Sequence, residues 1–151
     1  MTSPQPDRAA LTRDHMERAV RQYFEACNTL DRELFARCLS DDVVHYLANG
    51  MPGPIHGIDD VAERWGVDVR ANGTSWTVDG VYADEQTGTA VCEWTSFKPR
   101  LDRVLRGVEV YRFDEAGLID EVRIYYASRR DDSVSTNELA GYPYAERGFA
   151  T

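Results

Sequence analysis

Apolar residues fall at helical spacing in the first half of the chain and at alternate positions in the second. From Met16 they run Met16, Ala19, Val20, Tyr23, Phe24 and Cys27, which is one face of a helix. Thr12 or Asp14 is placed to cap its start, and Asp14 with Glu17 has capping-box spacing. Asp31 opens a second, shorter helix through Leu34, Phe35, Cys38 and Leu39, and Ser40-Asp41-Asp42 is expected to close it. Residues 43–47 are a β-prone run, and the segment NGMPGPIHG, with two prolines and three glycines, reads as a loop. Ile58, Val61, Ala62, Trp65 and Val69 mark the buried face of a third helix. After Asn72-Gly73 the period drops to two, predicting strands over 75–83, 89–98, 103–113 and 118–128, separated by EQTG, a Pro99 segment and DEAG.

Helices first and strands afterwards predict an α+β domain rather than alternating βαβ units. Three N-terminal helices would pack on a curved antiparallel sheet, closing a cone around an apolar pocket. The expected organisation is a disordered lead-in over 1–11, a single domain over 12–128 and a C-terminal tail over 129–151. That tail ends in LAGYPYAERGF, dense in aromatic residues. Because ordering a chain end has to be offset by apolar burial, Leu139, Tyr142, Tyr144 and Phe149 are expected to pack on the body or a partner subunit, near the pocket mouth.

Composition narrows the functional classes. The 151 residues are 42% hydrophobic and 28% charged, with 26 acidic against 17 basic side chains and a formal net charge of -9. Such a surface repels phosphate backbones, and no Lys/Arg stripe opposes it, so no nucleic-acid partner is expected. No apolar run approaches the length of a membrane span, and residues 1–7 carry no secretory signal, so no membrane partner and a cytoplasmic location are expected. Cys27, Cys38 and Cys92 share no CxxC spacing and read as reduced, buried side chains rather than disulfides or metal ligands.

The chemistry-bearing candidates sit on the faces that the alternation turns inward. On 103–113 that face carries Leu105, Gly107, Glu109, Tyr111 and Phe113, with Glu109 its one charged group. A carboxyl there would lose hydration, which raises its pKa and favours the neutral, hydrogen-bond-donating acid; an ordinary sheet-edge or arginine-paired glutamate is the plainer alternative. Tyr23 lies on the apolar face of the first helix, where its hydroxyl needs a partner. His45 faces inward if Leu47 does, and is either a general base or a satisfied core histidine. Val122, Ile124 and Tyr126 on the last strand, with Trp94 and Ser96 on 89–98, supply apolar walls and one hydroxyl. No HExxH, P-loop, GxGxxG or GxSxG motif is present.

The helix QYFEACNTLDRELFARCLSDD, the GPIHG loop entering a helix and the strand pair EVYRFDEAGLIDEVRIYYA resemble the nuclear transport factor two-like superfamily, and within it the ketosteroid isomerases and SnoaL-like polyketide cyclases. The resemblance implies a cystatin-like α+β roll. In the isomerases a helix-one tyrosine and a carboxylic acid on the penultimate strand form an oxyanion hole; Tyr23 and Glu109 fall at those positions, Glu replacing Asp. Trp65 stands where a supporting tyrosine is usual. Leu47 stands where the isomerases place their aspartate base. The limonene epoxide hydrolase Asp–Arg–Asp set is replaced by Ser96, Trp94 and Ile124, and Ile124 also replaces the cyclase aspartate.

The resulting expectation is an enzyme for a small hydrophobic carbonyl compound, of isomerase, cyclase or lyase type, in secondary metabolism or aromatic degradation. Tyr23, His45 and Glu109 are its catalytic candidates, with Leu47, Trp65, Trp94, Ser96, Val122, Ile124 and Tyr126 as substrate contacts. No metal or organic cofactor is implied, and a homodimer is expected. The alternative is a non-catalytic binder of a hydrophobic ligand on the same fold.

Overall fold

The computed structural model describes residues 11–128, 139–143 and 145–148. Helix α1 (Arg13–Thr29) begins at Thr12, whose hydroxyl accepts from the backbone N–H of His15, and ends at Leu30 in the left-handed region (φ 59°). Asp31 accepts from the N–H groups of Glu33 and Leu34 and so starts α2 (Arg32–Cys38). No loop follows: β1 (Leu39–Tyr46) begins at once. The expected stop at Ser40-Asp41-Asp42 is therefore a correction. The pairing of β1 shifts between Leu39 and Val44, and this irregularity lets Asp41 and Asp42 both face solvent inside the strand.

The predicted 49–57 loop also contains a two-residue strand, β2 (Ile55–His56), before α3 (Gly57–Asn72). Then come β3 (Ser75–Asp84), β4 (Thr89–Lys98), a 3₁₀ turn (Pro99–Leu101), β5 (Arg103–Phe113) and β6 (Ile119–Tyr126). The sheet order is β2-β1-β6-β5-β4-β3.

All neighbours are antiparallel except β1 and β6, which run parallel, so the sheet is mixed where an antiparallel one was expected. The reason is topological. Helix α3 carries the chain to the far edge, and the four-strand meander β3–β6 then fills back toward β1. Alternation of apolar residues fixes which face a strand buries, not the direction of a partner distant in sequence.

The sheet wraps the helices with its inner face. Met16, Val20, Tyr23, Phe35, Val61 and Trp65 meet Val43, Trp94, Tyr111, Val122 and Ile124 in one core. Asn28 pins the end of α1 to the edge strand: its side chain donates to the Trp76 carbonyl (2.9 Å) and accepts from the Trp76 N–H (2.8 Å). Gly107 is a close-approach glycine. A Cβ there would stand 2.3 Å from Trp94 Cζ2 and 2.6 Å from the Tyr125 carbonyl oxygen. Trp94 thus lies across β5 because position 107 has no side chain.

Leu11, assigned to the lead-in by the sequence, packs against the core. Of the tail, Leu139 bridges Ala48, the Ala140 N–H donates to the Leu47 carbonyl (2.9 Å), and Leu139 and Tyr142 are buried. Tyr142 meets Tyr46 edge-on (5.0 Å between ring centroids), and Arg147 donates to the buried carboxylate of Glu121. These contacts lie on the outer face of β1 and β6. Tyr144 and Phe149 lie outside the described residues.

Candidate functional site

Three elements bring the candidate groups together inside the cone. Tyr23 comes from the apolar face of α1, His45 from the inner face of β1 and Glu109 from the middle of β5. They are 1%, 0% and 4% exposed. His45 Nε2 lies 3.9 Å from Glu109 Oε1, and the Tyr23 and His45 rings are 6.4 Å apart. A 3.9 Å separation is too long for a hydrogen bond. It is, however, a gap that one polar atom could bridge, standing at hydrogen-bonding distance from both groups.

Two further side chains complete the cluster. Tyr111, two residues along β5 from Glu109 and so on the same face, donates its hydroxyl to Glu109 Oε2. Trp65 donates its indole N–H to the Tyr23 hydroxyl oxygen (2.9 Å) and stacks edge-on with His45 (5.4 Å). An indole N–H is a donor only, so Tyr23 accepts there and keeps its own proton to donate; the Cys27 thiol, a weak acceptor, lies beside it.

Burial sets the protonation states. Desolvation pushes Glu109 up to about 7 against the opposing effect of the Tyr111 hydrogen bond. Desolvation pushes His45 down to about 3, assisted by the charge of Arg64 and only partly offset by the neighbouring Tyr46 backbone, which is not placed to hydrogen-bond the ring. The same loss of water raises Tyr23 and Tyr111 above the usual phenol range, with Glu109 adding to both shifts. At neutral pH the cluster therefore holds a neutral imidazole, two neutral phenols and a carboxyl close to its midpoint. Neither nitrogen of His45 has a hydrogen-bond partner among the described residues, and the same is true of Trp94 Nε1 and Ser96 Oγ.

The interior is filled more completely than the sequence suggests. A cavity of about 240 Å³ lies beside the cluster, between α3, the 3₁₀ turn and β5, and its lining includes Trp65 and Tyr126 but not Tyr23, His45 or Glu109. Among the expected substrate contacts, Leu47, Trp94, Val122 and Ile124 sit in the core instead, and Ser96 is buried on the inner face of β4. The physical cause is aromatic bulk: Phe35, Tyr111 and Trp65 surround Tyr23 and occupy the space that smaller side chains would leave open. Trp65 thus touches both regions. Among the described residues no group of three or more His, Cys, Asp or Glu side chains is placed to hold a metal ion, and no helix is long and apolar enough to cross a membrane.

A helix-filled cone of this topology is the architecture of the nuclear transport factor two-like superfamily. Residues 20–122 match the SnoaL-like domain, and the chain belongs to that family. A crystal structure of a protein of unknown function with a cystatin-like fold from Methylobium petroleophilum PM1 is 38% identical, with a TM-score of 0.86 over 94% of this chain and 95% of that one. A candidate ketosteroid isomerase from Kribbella flavida DSM 17836 shares the fold at 22% identity and a TM-score of 0.65, over 78% of this chain and 82% of its own. So does a computationally designed 17-OHP binder, at 21% identity and a TM-score of 0.61, over 74% of this chain and 90% of its own. No curated protein matches the sequence.

Proposed function

We propose that the protein is an enzyme that moves a proton on a small, largely apolar, carbonyl-bearing molecule, as an isomerase, cyclase or lyase. The observation that carries this reading is Glu109, a buried carboxyl brought to about 7 that accepts the Tyr111 hydroxyl and faces His45 across 3.9 Å. A general base works best with a pKa near the working pH. By that criterion Glu109, rather than His45 at about 3, is the group that exchanges the proton.

In this mechanism the ionised carboxylate of Glu109 removes a proton from the carbon next to the carbonyl. The electron pair passes into the carbonyl group, and Tyr23 donates its hydroxyl hydrogen bond to the oxygen that becomes negative. Glu109 then returns the proton at the same or another carbon, and the enolate collapses to product. Tyr111 holds the carboxylate, and neutral His45 offers a nitrogen to the bound molecule from across the 3.9 Å gap.

The test uses 2-tetralone, whose α-protons exchange measurably in deuterium oxide by NMR. The wild type should accelerate exchange above buffer, and Glu109→Gln should lower the enzymatic rate by about two to four orders of magnitude. Wild-type exchange at the buffer rate, or an unchanged rate in the variant, refutes the reading.

A second reading, a non-catalytic binder of a hydrophobic ligand, is favoured by a cavity whose lining lacks Tyr23, His45 and Glu109 and by the designed 17-OHP binder of the same fold. Ligand binding without α-proton exchange would establish it. A homodimer through the outer face of β4–β6 belongs to the same proposal, since Phe97, Val104 and Tyr125 are exposed there.

A further inference from the structure

The cavity beside Trp65 has a chemistry that the proton-transfer reading does not use. Its walls are apolar, with Trp65, Leu105 and Tyr126 inside and Val67 and Leu101 at the rim, the last two about half exposed. Its charged lining is Arg64, Lys98, Arg103 and Asp68. Lys98 and Arg103 have partners of their own, which leaves Arg64 as the cation to account for in a chain with a net charge of -9.

The one anion is already engaged. Asp68 accepts from Lys98 Nζ and from Asn72 Nδ2 (2.6 Å), so it has little capacity left to neutralise anything else. Arg64 is half-buried and forms no ion pair with any acidic side chain among the described residues. Behind two of the wall residues, Ser96 lies opposite Leu105 on the neighbouring strand and Trp94 meets Tyr126 edge-on; neither lines the cavity.

We infer that this cavity binds an apolar organic acid, its carboxylate at Arg64 and its apolar body against Trp65, Leu105 and Tyr126. The inference rests on the reading that the fold handles a small apolar molecule, and it adds the acid group that such a molecule carries. Long-range repulsion from the acidic surface is screened beyond about 8–10 Å at physiological salt, so the guanidinium at the cavity decides the sign of charge accepted there. A planar fork of N–H donors also matches a carboxylate bidentately.

The experiment is calorimetric titration of the full chain with 2-naphthoate and with its methyl ester, which keeps the ring system and removes the charge. The acid should bind about tenfold or more tightly than the ester, as for loss of one partly exposed charge-assisted contact, and the gap should narrow as salt is raised. Arg64→Ala should weaken the acid about tenfold and leave the ester unchanged, while Arg64→Lys restores part of the preference. Equal binding of acid and ester, indifference of the acid to Arg64→Ala, or no binding of either at millimolar concentration overturns the inference. Each of these results leaves the proton-transfer reading to stand or fall on tetralone exchange alone.

Discussion

Replacing Glu109 by glutamine removes one ionisable proton from the centre of the core and little else, since the two side chains are nearly isosteric. In the folded state the carboxyl titrates at about 7, and in the unfolded chain close to the ordinary value of 4.5. A shift of that size corresponds to roughly 3 kcal/mol at about 1.4 kcal/mol per unit. Below pH 4.5 the group is protonated in both states and is fully compatible with burial. Between pH 4.5 and 7 the unfolded chain loses its proton first, so stability falls as pH rises, and above pH 7 the whole difference has been lost.

Whatever the amide itself costs in this site is independent of pH. It therefore cancels when the wild-type curve is subtracted from the variant curve. Glu121, whose buried carboxylate also titrates, is present in both proteins and cancels too. The difference between the two stabilities should thus change by about 3 kcal/mol between pH 4.5 and pH 8, always in favour of glutamine at the higher pH. For a domain of this size that is about 6–12 °C in relative melting temperature. Thermal or urea unfolding at half-unit pH steps measures it. Wild-type and Glu109→Gln curves that run parallel from pH 4.5 to 8 would refute the claim that Glu109 is desolvated in the fold, and with it the argument for its role in proton transfer.

The opposite sign is expected at Glu121. Burial raises that carboxyl, but the Arg147 hydrogen bond and the charges of Arg112, Arg147 and Arg123 outweigh it, so its folded pKa lies below 4.5 and its contribution is present above that value and lost as pH falls. Arg147→Ala should cost about 1–3 kcal/mol at pH 7 in urea unfolding, with a smaller deficit at pH 3; equal deficits at both would show that packing against Tyr142, not charge, is what Arg147 supplies. At Gly107 an added methyl meets a backbone carbonyl as well as the Trp94 ring, so Gly107→Ala should cost about 1–3 kcal/mol and alter the near-ultraviolet dichroism of Trp94. An unchanged melting temperature would mean that the sheet flexes there at no cost.

Much of the architecture was legible because each long element has a clean period. The inward face read from alternation on β5, from Leu105 to Phe113, is the face that the structure buries. What alternation could not supply was partnership. It gave no sign that β1 runs parallel to β6, nor that Ile55–His56 pairs with Val44 and His45 inside an apparent loop. The cavity was hidden for a related reason. Arg64, Asp68 and Asn72 lie on the flank of α3, and Leu101 and Arg103 at a turn and a strand end, positions that periodicity assigns to solvent. Tyr111 was within reach, since a residue two along a strand from a buried acid shares its face; only the hydroxyl's use was missing.

Trp65 shows how a resemblance can point to the right position and the wrong chemistry. Where related isomerases carry a tyrosine supporting the helix-one tyrosine, an indole reads as a hydroxyl lost. In the structure that indole still donates to the Tyr23 oxygen, at 2.9 Å, and it does so without any capacity to accept. A hydroxyl at position 65 could exchange roles with Tyr23, giving or taking the proton between them. An N–H fixes the direction: Tyr23 must accept from Trp65, and its own hydrogen is left for an acceptor on the other side, where the Cys27 sulfur lies. The substitution therefore keeps the positioning of Tyr23 and gives its hydroxyl one donor sense, the sense that the proposed contact with a developing oxyanion would need.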